Sequence, residues 1–106
     1  MNTTTSPRIA LVTGAGSGIG RAAALGLLDD GFTVVLAGRR ADPLNALVDQ
    51  ASSRGQVALA VPTDVTDPAS VQALFDTIEK TYGRLDVVFN NAGVTAPAMP
   101  MDELPL

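Results

Sequence analysis

The chain has 106 residues, 46% of them apolar, and a net charge of −4 at pH 7. That length supports one modest domain rather than two, with a globular composition, and the acidic balance argues against a nucleic-acid partner. With no cysteine and no histidine, a disulfide framework and a thiolate metal site are excluded, and the commonest general base and metal ligand is missing.

Residues 1–7, MNTTTSP, are polar and precede no apolar leader, so they read as a flexible N-terminus. No apolar run is long enough to span a bilayer, and the expectation is a cytoplasmic chain. RIALVT (8–13) is a nearly continuous apolar run and predicts a buried strand. From Gly18 the residues favour a helix, with Gly31 placed to end it. FTVVLAG (32–38) predicts a second strand. Asp42 and Pro43 read as the N-cap and first residue of a second helix. Leu44, Leu47, Val48 and Ala51 give that helix one apolar face, and Gly55 closes it. QVALAVP (56–62) predicts a third strand. Asp67 and Pro68 repeat the cap pattern, and Val71, Leu74, Phe75 and Ile78 repeat the helical spacing up to Gly83. LDVVFN (85–90) predicts a fourth strand, and the tail after Asn91-Ala92-Gly93 reads as a loop.

Buried strands alternating with helices imply a parallel sheet with right-handed crossovers. The expected fold is a doubly wound α/β sheet of Rossmann type, strand order 3-2-1-4, ending after the fourth strand. The first two helices then cover one face and the third covers the other. Strands one and four part at a switch point, where ligands bind in such sheets.

TGAGSGIG (13–20) joins the first strand to the first helix. Gly14 suits a tight turn, and Gly16 and Gly18 suit the close approach of a ligand. Gly20 suits close packing of helix on strand. A helix N-terminus is a ready anion site. The dinucleotide pattern G-x-G-x-x-G is not met, because Ile19 stands where its last glycine belongs; the spacing is T-G-x-x-x-G-x-G. A flexible connector without a ligand is the plain alternative.

Thr13-Gly14, Gly18-Ile19-Gly20, Asp64-Val65 and Asn90-Asn91-Ala92-Gly93 together resemble, in type, order and spacing, the N-terminal motifs of the short-chain dehydrogenase/reductase superfamily. The resemblance runs from Arg8 to the end of the chain. It implies that 8–106 form part of a dinucleotide-binding domain. Gly14 and Gly20 would shape its loop. Ser17, Gly18 and Ile19 would touch the pyrophosphate and nicotinamide ribose. Asp64 would accept from the adenine amino group, and the Val65 backbone would contact the ring. Asn91, Ala92 and Gly93 would line the adenosine ribose, while Thr13 and Asn90 would brace the two lips. Taken singly, Asp64 and the Asn90-Asn91 pair also read as ordinary turn residues.

At the end of strand two, Gly38 stands where an enzyme using NAD would present an acid to the ribose, and Arg39 and Arg40 follow. Two guanidiniums would attract a 2′-phosphate, so NADP(H) is expected over NAD(H). The resemblance further implies an oxidoreductase moving hydride between a nicotinamide and a carbonyl/alcohol substrate, homo-oligomeric when complete. Its reaction centre is a Tyr-x-x-x-Lys motif with a serine. Here the only tyrosine, Tyr82, and the only lysine, Lys80, stand in the opposite order. Tyr82 therefore reads as a packing residue, no catalytic or metal residue is assigned, and the 106 residues alone are expected to be inactive. The alternatives are a non-catalytic dinucleotide-binding module and an inactive fragment.

Overall fold

A computed structural model describes residues 7–91. The elements follow as β1 (Ile9–Thr13), α1 (Gly18–Asp29), β2 (Thr33–Gly38), α2 (Ala41–Ser53), β3 (Ala58–Pro62), α3 (Pro68–Tyr82) and β4 (Val87–Asn90). All strands are parallel, in the order β3-β2-β1-β4, as the sequence predicts. The flexible N-terminus expected for 1–7 and the loop expected after Gly93 lie, but for Pro7, outside the described residues.

Side chains alternate across the sheet, and the alternation decides which helix each meets. Ala10, Val12, Val34 and Leu36 point to one face, where Ala24 and Leu28 of α1 and Leu44, Leu47 and Ala51 of α2 cover them. Ile9, Leu11, Val35 and Ala37 point to the other, under Val71, Leu74, Phe75 and Ile78 of α3. Tyr82 packs against this second cluster from the end of α3, and burial raises its phenol pKa. The centre of the sheet is dry, whereas β3 is half-buried and Val87 and Val88 of β4 are exposed. The predicted two-sided burial therefore holds for β1 and β2 alone, because an edge strand has a neighbour on only one side.

The helix ends follow local chemistry. Asp67 caps α3 by accepting from the Ala69 N–H at 3.0 Å, with Pro68 next in line. Gly83 leaves that helix in the left-handed region, at φ 72°. Gly31 follows α1 in the same way, at φ 92°. The cap expected at Asp42 is corrected: Arg40 is the N-cap of α2, and Asp42 and Pro43 sit inside its first turn. Proline is tolerated there because first-turn N–H groups have no partner within the helix.

At the far end of the strands from the glycine loop, Asp86 ties β4 to β1. Its N–H donates to the Ile9 carbonyl at 2.8 Å, and its Oδ2 accepts from the Ile9 N–H at 2.8 Å. Arg84 grips both carboxylate oxygens, at 2.9 and 2.7 Å. Those Arg84 hydrogen bonds, with the Ile9 amide and the nearby arginine charges, hold the Asp86 carboxyl below its usual range. A depressed carboxylate stabilises the fold above its unfolded pKa, and loses that contribution as pH falls through its folded value. Asp86→Asn should therefore lower stability at pH 7 by about 1–3 kcal/mol. The deficit should shrink below about pH 4, near the ordinary aspartate value. Denaturant melts of both proteins across pH check this; a deficit constant with pH would contradict it.

Candidate functional site

Thr13 ends β1, and Gly14, at φ 65°, turns the chain out of the sheet. The Gly14 carbonyl then gathers the loop. It accepts from the Ser17 N–H at 3.3 Å, the Ser17 hydroxyl at 3.1 Å and Asn91 Nδ2 at 3.4 Å. Ala15 N–H donates to the Ala37 carbonyl at 3.1 Å and fastens the loop to β2. Ser17 is the extended N-cap of α1, so the first N–H groups of that helix open next to the loop.

The glycines have separate reasons. A Cβ on Gly20 would overlap the Gly14 carbonyl, so only glycine lets α1 sit this close to β1. A Cβ on Gly18 would meet nothing within 4 Å, which leaves open space over the helix N-terminus. A Cβ on Gly16 would lie 3.1 Å from Pro43 Cβ. Gly16 therefore also makes room for Pro43, a neighbour within the protein.

Opposite the loop stands the turn between β2 and α2. Gly14, Gly16 and Ser17 on one side and Gly38, Arg39, Arg40, Pro43 and Leu44 on the other enclose a cleft of about 320 Å³. Arg39 and Arg40 are exposed, and Arg40 caps α2 with no side-chain bond to the helix. The cleft thus joins two helix N-termini and two guanidiniums, offset by Asp42 in the first turn of α2. It opens over the ends of β1 and β2. Where the paired β1 and β4 end, Thr13 Oγ1 donates to Asn90 Oδ1 at 2.9 Å and braces the two strands, as the resemblance implies.

Asp64 follows β3. Its Oδ1 accepts from the Thr66 hydroxyl at 2.6 Å and the Thr66 N–H at 3.0 Å, and its own N–H donates to Ser70 Oγ at 2.9 Å. The Thr66 hydroxyl, then the Thr66 amide, and also the positive charge of Arg39, keep the Asp64 carboxyl below its usual range. Val65 faces the other way, into a small hollow with Leu11, Phe75 and Val88 on the α3 side.

The fold therefore brings Gly14, Ser17, Arg39 and Arg40 around one cleft, with Asn91 hydrogen-bonded to the loop and Asp64 within reach of the Arg39 charge. Ile19 stands exposed on the first turn of α1 (70% accessible), and Gly20 is buried beneath the loop. Ala92 and Gly93 lie outside the described residues. Pro43, Leu44 and Thr66 were not foreseen in the site. The sequence signal for the first two was the Asp-Pro pair after Arg40, which marks a helix start at the loop end of the sheet. Among the described residues there is no cluster of three metal-ligating side chains and no helix long and apolar enough to cross a membrane.

The short chain dehydrogenase family model matches residues 8–105. The chain belongs to that family. It is 45% identical over 101 residues to 1-deoxy-11-beta-hydroxypentalenate dehydrogenase of Streptomyces avermitilis, covering 94% of this chain and 37% of that one. Among solved structures it resembles L-sorbose reductase from Gluconobacter frateurii complexed with NADPH and L-sorbose. That likeness has TM-score 0.77 and 32% identity, and covers 96% of this chain and 39% of the other. It also resembles a short chain dehydrogenase/reductase from Burkholderia phymatum in complex with NAD (TM-score 0.74, 36% identity, 78% of this chain and 30% of the other). The chain thus spans well under half the length of these relatives, and the family includes proteins bound to either dinucleotide.

Proposed function

We propose that this chain is the NADP(H)-preferring, nucleotide-binding part of an oxidoreductase that moves hydride between a nicotinamide and a carbonyl/alcohol substrate. The observation that carries the reading is the cleft itself. Arg39 and Arg40 stand across it from the glycine loop, and β2 ends in Gly38, with no acid at that position. An acid there would repel a ribose 2′-phosphate, and guanidiniums would bind it with two parallel hydrogen bonds. The open space above Gly18 and the free N–H groups of α1 suit a pyrophosphate. The bound dinucleotide would supply the hydride.

By the same reading, Ser17, Gly18 and Ile19 lie along the pyrophosphate and nicotinamide ribose. Asp64, with Oδ1 held by Thr66, presents its other oxygen to the adenine amino group, and Asn91, Ala92 and Gly93 border the adenosine ribose. Proton transfer to the substrate is not assigned to these 106 residues, since Tyr82 is engaged in core packing and no histidine is present. Without a general acid the reaction forfeits roughly 10²- to 10⁴-fold. The test is a fluorescence titration of the purified protein with NADPH and NADH at one salt concentration. Tighter NADPH binding is expected; equal affinities would overturn the preference.

Gly18→Val is expected to leave the fold intact, because its Cβ enters open space, and to abolish dinucleotide binding. The branched side chain would cover the α1 N-terminus. A folded variant, by circular dichroism, that still binds NADPH would show the loop to be only a connector.

A further inference from the structure

Two glycines outside α2, Gly38 at the end of β2 and Gly16 in the loop before α1, stand close to its first turn. A Cβ on Gly38 would lie 3.4 Å from Leu44 Cδ2, and a Cβ on Gly16 would lie 3.1 Å from Pro43 Cβ and 3.5 Å from its Cγ. Leu44 is fully buried, so that end of the turn is fixed in the core. Pro43 has its φ locked by its ring and stands opposite Gly16 of the glycine loop. Arg40 is the N-cap of the same helix and Arg39 immediately precedes it. The guanidinium-bearing turn and the glycine loop, the two walls of the cleft, therefore approach at Gly16 and Pro43 so closely that a methyl group on Gly16 would crowd the proline.

We propose that Pro43 is a positioning residue: standing beside Gly16 with little room between them, it sets the spacing between the glycine loop and the Arg39–Arg40 turn and so tunes selection of a phosphorylated over an unphosphorylated ribose. This rests on the NADP(H) reading above. A pyrophosphate anchored on the loop reaches the arginines only if the walls stand at the right separation. Charge-assisted bidentate hydrogen bonds are sensitive to such a shift, whereas contacts made on the loop alone are not. Gly16 is not at positive φ, so an alanine there perturbs the contact and not the local backbone.

The test is a small-for-large exchange, with NADPH and NADH affinities measured for four proteins: unmutated, Gly16→Ala, Pro43→Gly and the double variant. Each single variant should lower the NADPH/NADH affinity ratio about threefold to tenfold, part of the effect of a charged hydrogen bond. The double variant, with the missing carbon restored from the other side, should recover the ratio to within about twofold, on the coupling expected of touching residues. A purely structural role would weaken both dinucleotides alike. An unchanged ratio in the single variants, or a loss that persists in the double, overturns the proposal; if Gly16→Ala fails to fold, Pro43→Gly alone decides by its ratio. Equal affinities in the unmutated protein would instead remove the NADP(H) reading beneath it.

Discussion

Arg39→Ala is expected to weaken NADPH binding relative to NADH by roughly 10- to 100-fold, the equivalent of one charged hydrogen bond of about 1.5–3 kcal/mol. Arg39 lies on the wall of the cleft facing the glycine loop, and it is close enough to Asp64 to help keep that carboxylate ionised. NADH is the internal control. It shares the pyrophosphate, the adenine and both riboses, and lacks only the phosphate that the guanidinium would meet. Arg40→Ala should have a smaller effect and cost α2 little, since Arg40 caps the helix without a side-chain hydrogen bond. The difference between the two dinucleotides should narrow as salt rises, because an exposed guanidinium is screened within about 10 Å at 0.1 M. Parallel losses of NADH and NADPH in Arg39→Ala would show that the residue shapes the cleft without reading the phosphate.

Gly20→Ala should cost about 3 kcal/mol, at the upper end of overpacking. The added carbon would overlap the Gly14 carbonyl oxygen and lie 2.7 Å from its carbon and 3.1 Å from Asn91 Nδ2. The obstructing atoms are mostly backbone, so no rotamer change relieves them. Helix α1 would have to lift from β1, loosening the contacts of Ala24 and Leu28 beneath it. At about 4–8 °C per kcal/mol for a chain of this size, the melting temperature should fall by more than roughly 10 °C. Gly26→Ala, two turns along the same helix, should do the opposite. Its Cβ would meet nothing within 4 Å, and replacing an interior glycine stabilises a helix by up to about 1 kcal/mol. Thermal melts of the two variants therefore diverge in sign. A Gly20→Ala protein melting with the unmutated one would mean that the close helix–strand contact is not needed.

The strand order and the helix faces were readable because both follow from periodicity. Ile9 and Leu11 had to point away from Ala10 and Val12 once β1 was extended, and α3 had to take whichever face α1 and α2 left bare. Asp67 was readable because its cap is local. The cap of α2 was not. Asp42-Pro43 looks like Asp67-Pro68, but any of the first-turn positions accepts a proline, and the pair alone does not say which it occupies. The same limit hid the reason for Gly16. A glycine in a loop suggests a ligand, and only the fold shows that a side chain there would also crowd Pro43 of α2, distant in sequence. Thr66 has a related reason: two residues after an aspartate it reads as a turn, and only the folded chain puts both its donors on one carboxylate oxygen.

The seam between β1 and β4 has a kinetic meaning. Ile9 with Asp86, Thr13 with Asn90 and Gly14 with Asn91 are each 77 residues apart in sequence. By contrast β1 and β2 each pair with the next strand in sequence, around a single helical crossover. Nearby pairings are entropically cheaper to close than distant ones, and distant ones are slow. The three-stranded unit with α1 and α2 should therefore assemble first, and β4 should dock last. Since the Gly14 carbonyl receives its Asn91 partner only in that final step, the glycine loop would reach its finished shape when the chain closes, and not before. A protein pulsed with deuterium during refolding should then show the amides of Val12 and Val35, on the β1–β2 seam, protected ahead of those of Val88 and Asn90, which face β1 from β4. The competence to bind should appear with the later pair.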